Sequence, residues 1–360
     1  MLKIPIPVKD LVQRAAELLR ALLAEVSAIE LKSLDVKHRR DNRIFDLVAN
    51  IRVAGQPHSL VCEIKDSGQP RHVRMALLQL QGYMTGFGSK ATPVLIAPYL
   101  SPESQALCRE NGVGFLDFEG NARLVFDGVF VERRVEGKPH SARRELKSLF
   151  KPKSAQVLRV LLRHPQRTWR VAELAEAAHV SLGHINNVRV GLVDREWARI
   201  EPSGLLLTQP DVLLDAWRDA YDPPAGERLS FYTTLHGDAF AAAARQALGV
   251  SDEHGKVMFS SFSAAQWLAP YARIGTSFFY VNHVGLDKLR QVLTLSSPIK
   301  GENVMVTCVE DDDLFRDSME PASGITCTSP VQTYLDLAAA GERGHEAADH
   351  LRLDRLQWRD

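Results

Sequence analysis

Residues Arg43 to Tyr83 constrain the fold of this chain more than any other stretch. The segment reads RIFDLVANIRVAGQPHSLVCEIKDSGQPRHVRMALLQLQGY. Its first part is an alternating, β-branched run carrying Asp46, and Gly55-Gln56-Pro57 is expected to reverse the chain. A second apolar run, Leu60 to Cys62, ends in Glu63-Ile64-Lys65. Strand side chains alternate faces, so Glu63 and Lys65 share one face and Ile64 takes the other. A helix is expected over Pro70 to Phe87, with Gln79 and Tyr83 four apart on one side of it. Two carboxylates from neighbouring strands, Asp46 and Glu63, together with one lysine, suit a hard divalent cation and the polarisation of an attacking water.

The order Asp46, then Glu63-x-Lys65, then Gln79-x-x-x-Tyr83 resembles the PD-(D/E)XK nuclease superfamily with its Q-x-x-x-Y helix. The resemblance implies that Asp46 and Glu63 bind Mg²⁺, that Lys65 supports the nucleophilic water, and that Gln79 and Tyr83 complete the catalytic set. The leading proline of the motif is absent, since Phe45 precedes Asp46. The bland reading stands beside this one. Gln79 alone is a solvated helix residue, Tyr83 alone is a core aromatic with its hydroxyl at the edge, and the acids belong to an inherited fold whose site is silent. Glu17 and Glu25, on an amphipathic helix expected over Asp10 to Ser27, are further candidate ligands or simply surface charges.

The elements around this stretch follow the same order. Strands are expected near Ile29–Val36, Ile44–Val53, Ser59–Lys65, Thr92–Ala97, Val113–Phe118 and Ala122–Phe126. A helix from Ser101 to Asn111 is capped by Ser101 and stopped by Gly112. Basic side chains at Lys37-His38-Arg39-Arg40, Arg71 and Arg74 are candidate phosphate clamps. Residues 1–135 are therefore expected to form a restriction-endonuclease-like α/β domain.

Glu136 to His140 reads as a linker, and from Ser154 the pattern changes to three short helices: SAQVLRVLLRHP, Val171–Ala178 and Leu182–Trp197. The small hairpin Arg199–Thr208 follows them. Three helices and a hairpin are the elements of a winged helix-turn-helix, which lays its second helix-turn-helix element in the DNA major groove. Residues 148–210 are expected to be this module. Ser181, His184, Asn186, Asn187 and Arg189 would stand on or near the groove side, with Arg170 and Arg199 on phosphates. A protein-binding winged helix is the alternative.

The net charge of the 360-residue chain is zero, but its distribution is uneven. Residues 1–150 carry 22 basic and 17 acidic side chains, a net of +5. Residues 151–210 carry 9 and 5, a net of +4, and residues 211–360 carry 13 and 22, a net of −9. The front suits a polyanion and the back does not. Cys62, Cys108, Cys308 and Cys327 have no paired metal spacing, so zinc and disulfides are not expected. No apolar run approaches the roughly 18 residues of a membrane span, and MLKIPIPVKD has no signal-peptide core, so a cytoplasmic protein is expected.

Residues 225–360 read as an α+β region with strands at Phe278–Val281 and Asn303–Cys308, an acidic Glu310–Asp313 loop and a helical end from Val331. Together with the winged helix, the segments SSFSAAQWLAPYAR, GENVMVT and VQTYLDLAAAGERGHEAADHL, and the earlier GFLDFEGN at Gly114–Asn121, resemble the AbiEi-type antitoxins of type IV toxin–antitoxin systems. The resemblance implies a winged helix that represses its own operon. It also implies a carboxy-terminal region, 225–360, that opposes a nucleotidyltransferase toxin without a stable complex. Double-stranded DNA is then the expected partner, and a homodimer suits the reading of paired half-sites. An endonuclease of the PD-(D/E)XK type, targeted by the winged helix, is the competing expectation.

Overall fold

The computed structural model describes residues 8–40, 43–84, 87, 90–137, 139–251, 254–271, 274–297 and 301–358. It is a mixed α/β protein with two large sheets. The chain forms two compact units, one of Met1–Arg144 with Leu192–Glu196, the other of Glu145–Gly191 with Trp197–Asp360.

The first unit contains α1 (Val8–Ala24), β1 (Ile29–Arg40), β2 (Arg43–Val53), β3 (Gln56–Ile64), α2 (Pro70–Met84), β4 (Ala91–Ala97), α3 (Pro102–Glu110), β5 (Gly114–Asp117), β6 (Ala122–Phe126) and β7 (Val129–Arg133). All seven strands pair in sequence order. The β3–β4 and β4–β5 pairs are parallel and the rest antiparallel. Alternation divides the strand residues between two cores. Leu47, Ala49, Ile51, Leu60 and Cys62 cluster with Ala15, Leu19 and Leu23 of α1. Leu95, Ala97 and Phe115 cluster instead with Val73, Leu77 and Leu80 of α2 and with Leu107 of α3.

Three details differ from the sequence reading. The β2–β3 reversal lies at Ala54-Gly55, one residue earlier than expected, and both residues have positive φ (47° and 83°). Such a pair matches the twist of flanking strands, and it leaves Pro57 inside β3 opposite Arg52. Strand β1 runs on through the basic cluster to Arg40, so Lys37 and His38 belong to a sheet edge. The strand β7 was not expected. The last expected turn of α2, at 85 and 86, lies outside the described residues, as does the segment MLKIPIP.

The described residues of the expected linker, 136, 137 and 139, lie outside any helix or strand, and the boundary between units falls a few residues later, within α4 (His140–Leu149). The second unit continues with α5 (Pro152–Arg163), α6 (Val171–Ala177), α7 (Leu182–Asp194, whose residues from Leu192 on are grouped with the first unit), β8 (Ala198–Glu201), β9 (Gly204–Leu207) and α8 (Pro210–Asp219). Helix α7 stops short of Trp197, where Glu196 has φ 60° and Trp197 is buried. Strands β8 and β9 form a two-stranded hairpin. Trp169 adds to it by donating its N–H to Leu205 O and accepting from Leu205 N–H, both at 2.8 Å.

The remaining elements are β10 (Gly226–Phe231), α9 (Gly237–Ala247), β11 (Gly249–Ser251), β12 (Gly255–Phe259), α10 (Ser261–Leu268), β13 (Ser277–Val281), α11 (His283–Val292), β14 (Val304–Val309), β15 (Ser318–Ala322), β16 (Ile325–Thr328), α12 (Pro330–Ala338) and α13 (Glu342–Arg355). The sheet order is β10-β14-β13-β12-β16-β15, with β11 on β12. The acidic run after β14 is a short 3₁₀ turn (Asp312–Asp317) and not a solvated loop. Asp312 pairs with Lys256 at 2.9 Å, and Asp313 pairs with Arg316 at 2.9 Å and with Lys153. Among the described residues no helix is long and apolar enough to cross a membrane.

Gly204 shows how tightly the β8–β9 hairpin is fixed. Its φ is 141°, and a Cβ there would lie 2.2 Å from the Trp169 carbonyl oxygen. Gly204→Ala is therefore expected to lose roughly 2–3 kcal/mol of stability, measured by chemical denaturation. A change below about 0.5 kcal/mol would mean that Trp169 does not hold the hairpin.

Candidate metal centre and nucleic-acid interface

In the first unit the hairpin register assembles the candidate metal centre. Leu47 faces Cys62 and Val53 faces Gln56, so one further step sets Asp46 opposite Glu63. Asp46 is half-buried, and its Oδ2 accepts from the Ile64 backbone N–H at 2.9 Å. Glu63 is buried, with 7% of its surface exposed. Lys65 lies one residue beyond β3, its own N–H donating to Ile96 O at 2.9 Å. Its ammonium donates to Glu63 Oε1 and to Gln79 Oε1, both at 2.7 Å. Lys65 thus joins the acid on β3 to the amide on α2.

Burial pushes the Glu63 carboxyl above its ordinary pKa, and the negative charge of Asp46 pushes the same way. The hydrogen bond and positive charge of Lys65 oppose both effects without cancelling them. Tyr83 lies one turn beyond Gln79, and its ring packs edge-on against Phe45 with centroids 4.9 Å apart. Phe45 also packs against Phe87 and belongs to a cluster with Val48 and Val61. The position before Asp46, where the resembling motif has proline, is thus used as an aromatic anchor for α2.

The donor chemistry at this centre fits Mg²⁺. That ion keeps several waters and is commonly held by one or two carboxylates, and a cation would favour the ionised Glu63 that burial and, to a smaller extent, the Asp46 charge disfavour. No group of three or more His, Cys, Asp or Glu side chains suited to a metal occurs among the described residues, so water would complete the shell. Glu17 is exposed and accepts from Gln13 at 3.1 Å, and Glu25 pairs with Arg133, so each has a surface partner of its own.

In the second unit, α7 sorts the candidate nucleic-acid residues into two groups. Asn186 and Asn187 are exposed, together with Leu182 (55% exposed), Gly183 and Val190 (52% exposed). These positions recur at helical spacing and form one face. Ile185, Val188 and Leu192 form the buried face. Arg189 is half-buried at the margin. His184 does not join the exposed group, because its Nε2 lies 3.1 Å from Ser154 Oγ on α5. Ser181 is exposed, and its Oγ accepts from the His184 N–H at 3.3 Å, so it caps the helix start. Arg170, at the head of α6, is exposed, and Arg199 on β8 is exposed and paired with Glu201 at 2.7 Å.

Asp336, a buried acid on α12, belongs to no motif visible in the sequence. Its Oδ1 accepts from Tyr221 (2.5 Å), Tyr280 (2.8 Å) and Gln332 (2.9 Å). Burial pushes its carboxyl up to about 6 despite those hydrogen bonds. The partners come from three separate places in the chain, and an Asp inside an apolar helical pattern was the one local sign.

Comparison with known proteins places a family on part of the chain. Residues 206–357 match the family described as transcriptional regulator, AbiEi antitoxin, type IV toxin–antitoxin system. A search of the curated proteins found no significant match. Among solved structures, a complex of EndoMS with double-stranded DNA is similar at 18% identity and TM-score 0.22, over 29% of this chain and 44% of that one. A repair endonuclease from Pyrococcus abyssi is similar at 16% identity and TM-score 0.22, over 28% of this chain and 46% of that one. The chain thus spans less than half the length of each of these structures.

The raised Glu63 pKa gives a signed expectation for the metal-free protein. A carboxyl with a folded pKa above its unfolded value binds protons more tightly in the native state, so its contribution to stability falls as pH rises from the unfolded towards the folded pKa. Glu63→Gln removes that contribution. Its stability relative to the parent should rise as pH climbs from the ordinary carboxylate range, measured by denaturation in the presence of chelator. A difference that does not change with pH would show that Glu63 titrates normally.

Proposed function

We propose that this protein is a DNA-binding transcriptional regulator of the AbiEi antitoxin type, acting inside the cell. In this reading residues 148–210 are a winged helix-turn-helix: α6 and α7 form the helix-turn-helix and β8–β9 the wing. The observation that carries the proposal is the exposed face of α7, where Asn186 and Asn187 stand clear of the packing that holds the helix. A helix presented in this way fits the major groove, and amide side chains read base edges there. Arg170 and Arg199 suit phosphate contacts on either side, Ser181 positions the helix, and Arg189 suits the groove margin. The match of residues 206–357 to the antitoxin family supports a regulatory role for the whole and a toxin-opposing role for the acidic region 225–360. The toxin would be a nucleotidyltransferase, and a homodimer would read paired half-sites.

The restriction-endonuclease-like reading of residues 1–135 supplies a second function, favoured by one specific observation: Lys65 bridges Glu63 and Gln79 at 2.7 Å each. Asp46 and Glu63 would hold Mg²⁺, which when bound lowers the pKa of a water and offsets charge on a phosphodiester. Lys65 would orient that water while Gln79 holds its ammonium in place, and Tyr83 would fix the α2 face against Phe45. The two readings are compatible, since the nuclease-like region also provides a net positive surface for non-specific DNA binding when it does not cut.

Two measurements separate them. A gel-shift titration on the DNA upstream of the protein's own operon should show a specific complex at moderate salt. Arg170→Ala and Arg199→Ala should each reduce the slope of log affinity against log salt by about 0.9. Absence of any specific shift would remove the regulator reading. Incubation of supercoiled plasmid with Mg²⁺ or Mn²⁺ tests cleavage: nicking that disappears in Glu63→Ala and Lys65→Ala establishes the enzyme, and plasmid left intact with either metal removes it.

A further inference from the structure

We infer that the exposed face of α7 reads A·T base pairs, so that the operator half-site contacted by this helix is A·T-rich at its centre. This rests on the DNA-binding reading above and adds the base preference. The face contains Leu182, Gly183, Asn186, Asn187 and Val190, and no arginine or lysine. Guanine is most often read by a bidentate arginine or lysine on its O6 and N7, whereas asparagine pairs bidentately with adenine N6 and N7. Asn186 and Asn187 each carry the acceptor and the donor that adenine requires.

The apolar members of the face point the same way. Leu182 and Val190 are more than half exposed on a helix that buries Ile185, Val188 and Leu192, and they flank Asn186 at spacings of four on each side. A major groove offers apolar partners chiefly at the thymine methyl. Thymine lies opposite every adenine, so amides and aliphatic side chains on one helix face read the two sides of the same pairs. Gly183 fits this arrangement. A Cβ there would meet nothing within 4 Å, so packing does not demand glycine, and glycine inside a helix costs about 1 kcal/mol relative to alanine. Its small size instead lets the helix backbone approach the base edges.

The occupant is DNA on grounds of charge. Residues 151–210 carry a net +4, and exposed Arg170 and Arg199 lie in neighbouring elements of the same module. Arg189, half-buried at the margin of the face, suits a phosphate and not a base at the centre.

The experiment uses the full chain and a randomised duplex library, followed by base analogues in the selected site. Selected sequences are expected to share a short A·T run in each half-site. Replacing its thymines by deoxyuridine, which lacks the methyl group, should weaken binding several-fold. Replacing its adenines by 7-deaza-adenine, which lacks N7, should weaken binding on the order of tenfold. Asn187→Ala should relax selection within the run, and Asn186→Arg should shift one selected position towards guanine. These positions are exposed, and unchanged thermal unfolding of each variant verifies the fold. Specific binding to sites with G·C at the centre, or binding indifferent to both analogues, would overturn the inference while leaving DNA binding intact. Failure of the parent protein to select any sequence would overturn the DNA-binding reading, and the base preference with it.

Discussion

The two-residue turn at Ala54-Gly55 is the constraint on which the first unit depends. With φ of 47° and 83° it permits one hairpin register, the one that pairs Val53 with Gln56 and Leu47 with Cys62. That register sends Leu47, Ala49, Leu60 and Cys62 to the α1 side and leaves Asp46 and Glu63 for the side covered by α2. A slip of one residue would reverse every side chain, exposing the aliphatic row and burying the charges beneath α1. The apolar pattern therefore enforces the position of the acids, although the acids themselves oppose folding.

A comparable dependence governs α7. Its exposed face exists because Ile185, Val188 and Leu192 are buried and because His184 turns inward to Ser154. The hairpin beside it is fixed by the reciprocal Trp169–Leu205 bonds, which Gly204 makes possible by admitting the Trp169 backbone. Local sequence rules explain the helix, and Ser154 on α5 meets His184 on its inward side. The chemistry offered to solvent is thus a consequence of the inward contacts.

Much of this was legible in the sequence, for identifiable reasons. Alternation with period two exposed β2 and β3, and the acidic-x-Lys ending of β3 with Gln79 on the next helix marked the centre. Three short helices and a hairpin gave the elements of the middle region. Other features escaped because they are not local. Gly55-Gln56-Pro57 has stronger turn composition than Ala54-Gly55, yet strand twist selected the pair with positive φ. His184 has the same sequence character as Asn186 and Asn187, and a serine thirty residues away separates it from them.

Two of the three buried acids among the described residues, Asp336 and Glu63, stand in different surroundings. Asp336 receives three hydrogen bonds on one oxygen from side chains of its own unit, two of them tyrosine hydroxyls that burial and the nearby carboxylate hold in the neutral form. The network ties α12 to Tyr221 and to β13 through one oxygen, while Asp336 Oδ2 is buried without a hydrogen-bond partner among the described residues. Glu63 has a lysine on one oxygen and a second carboxylate across the hairpin, and its pKa stays raised despite that lysine. A fold selected for stability alone gains nothing from two facing acids, since an apolar pair in the same register would avoid both desolvation and repulsion. Lys65 offsets part of that cost from within the chain, and a divalent cation would offset more of it. By that reasoning the charges of Asp46 and Glu63 support the proposed cation site, whatever catalytic competence accompanies it.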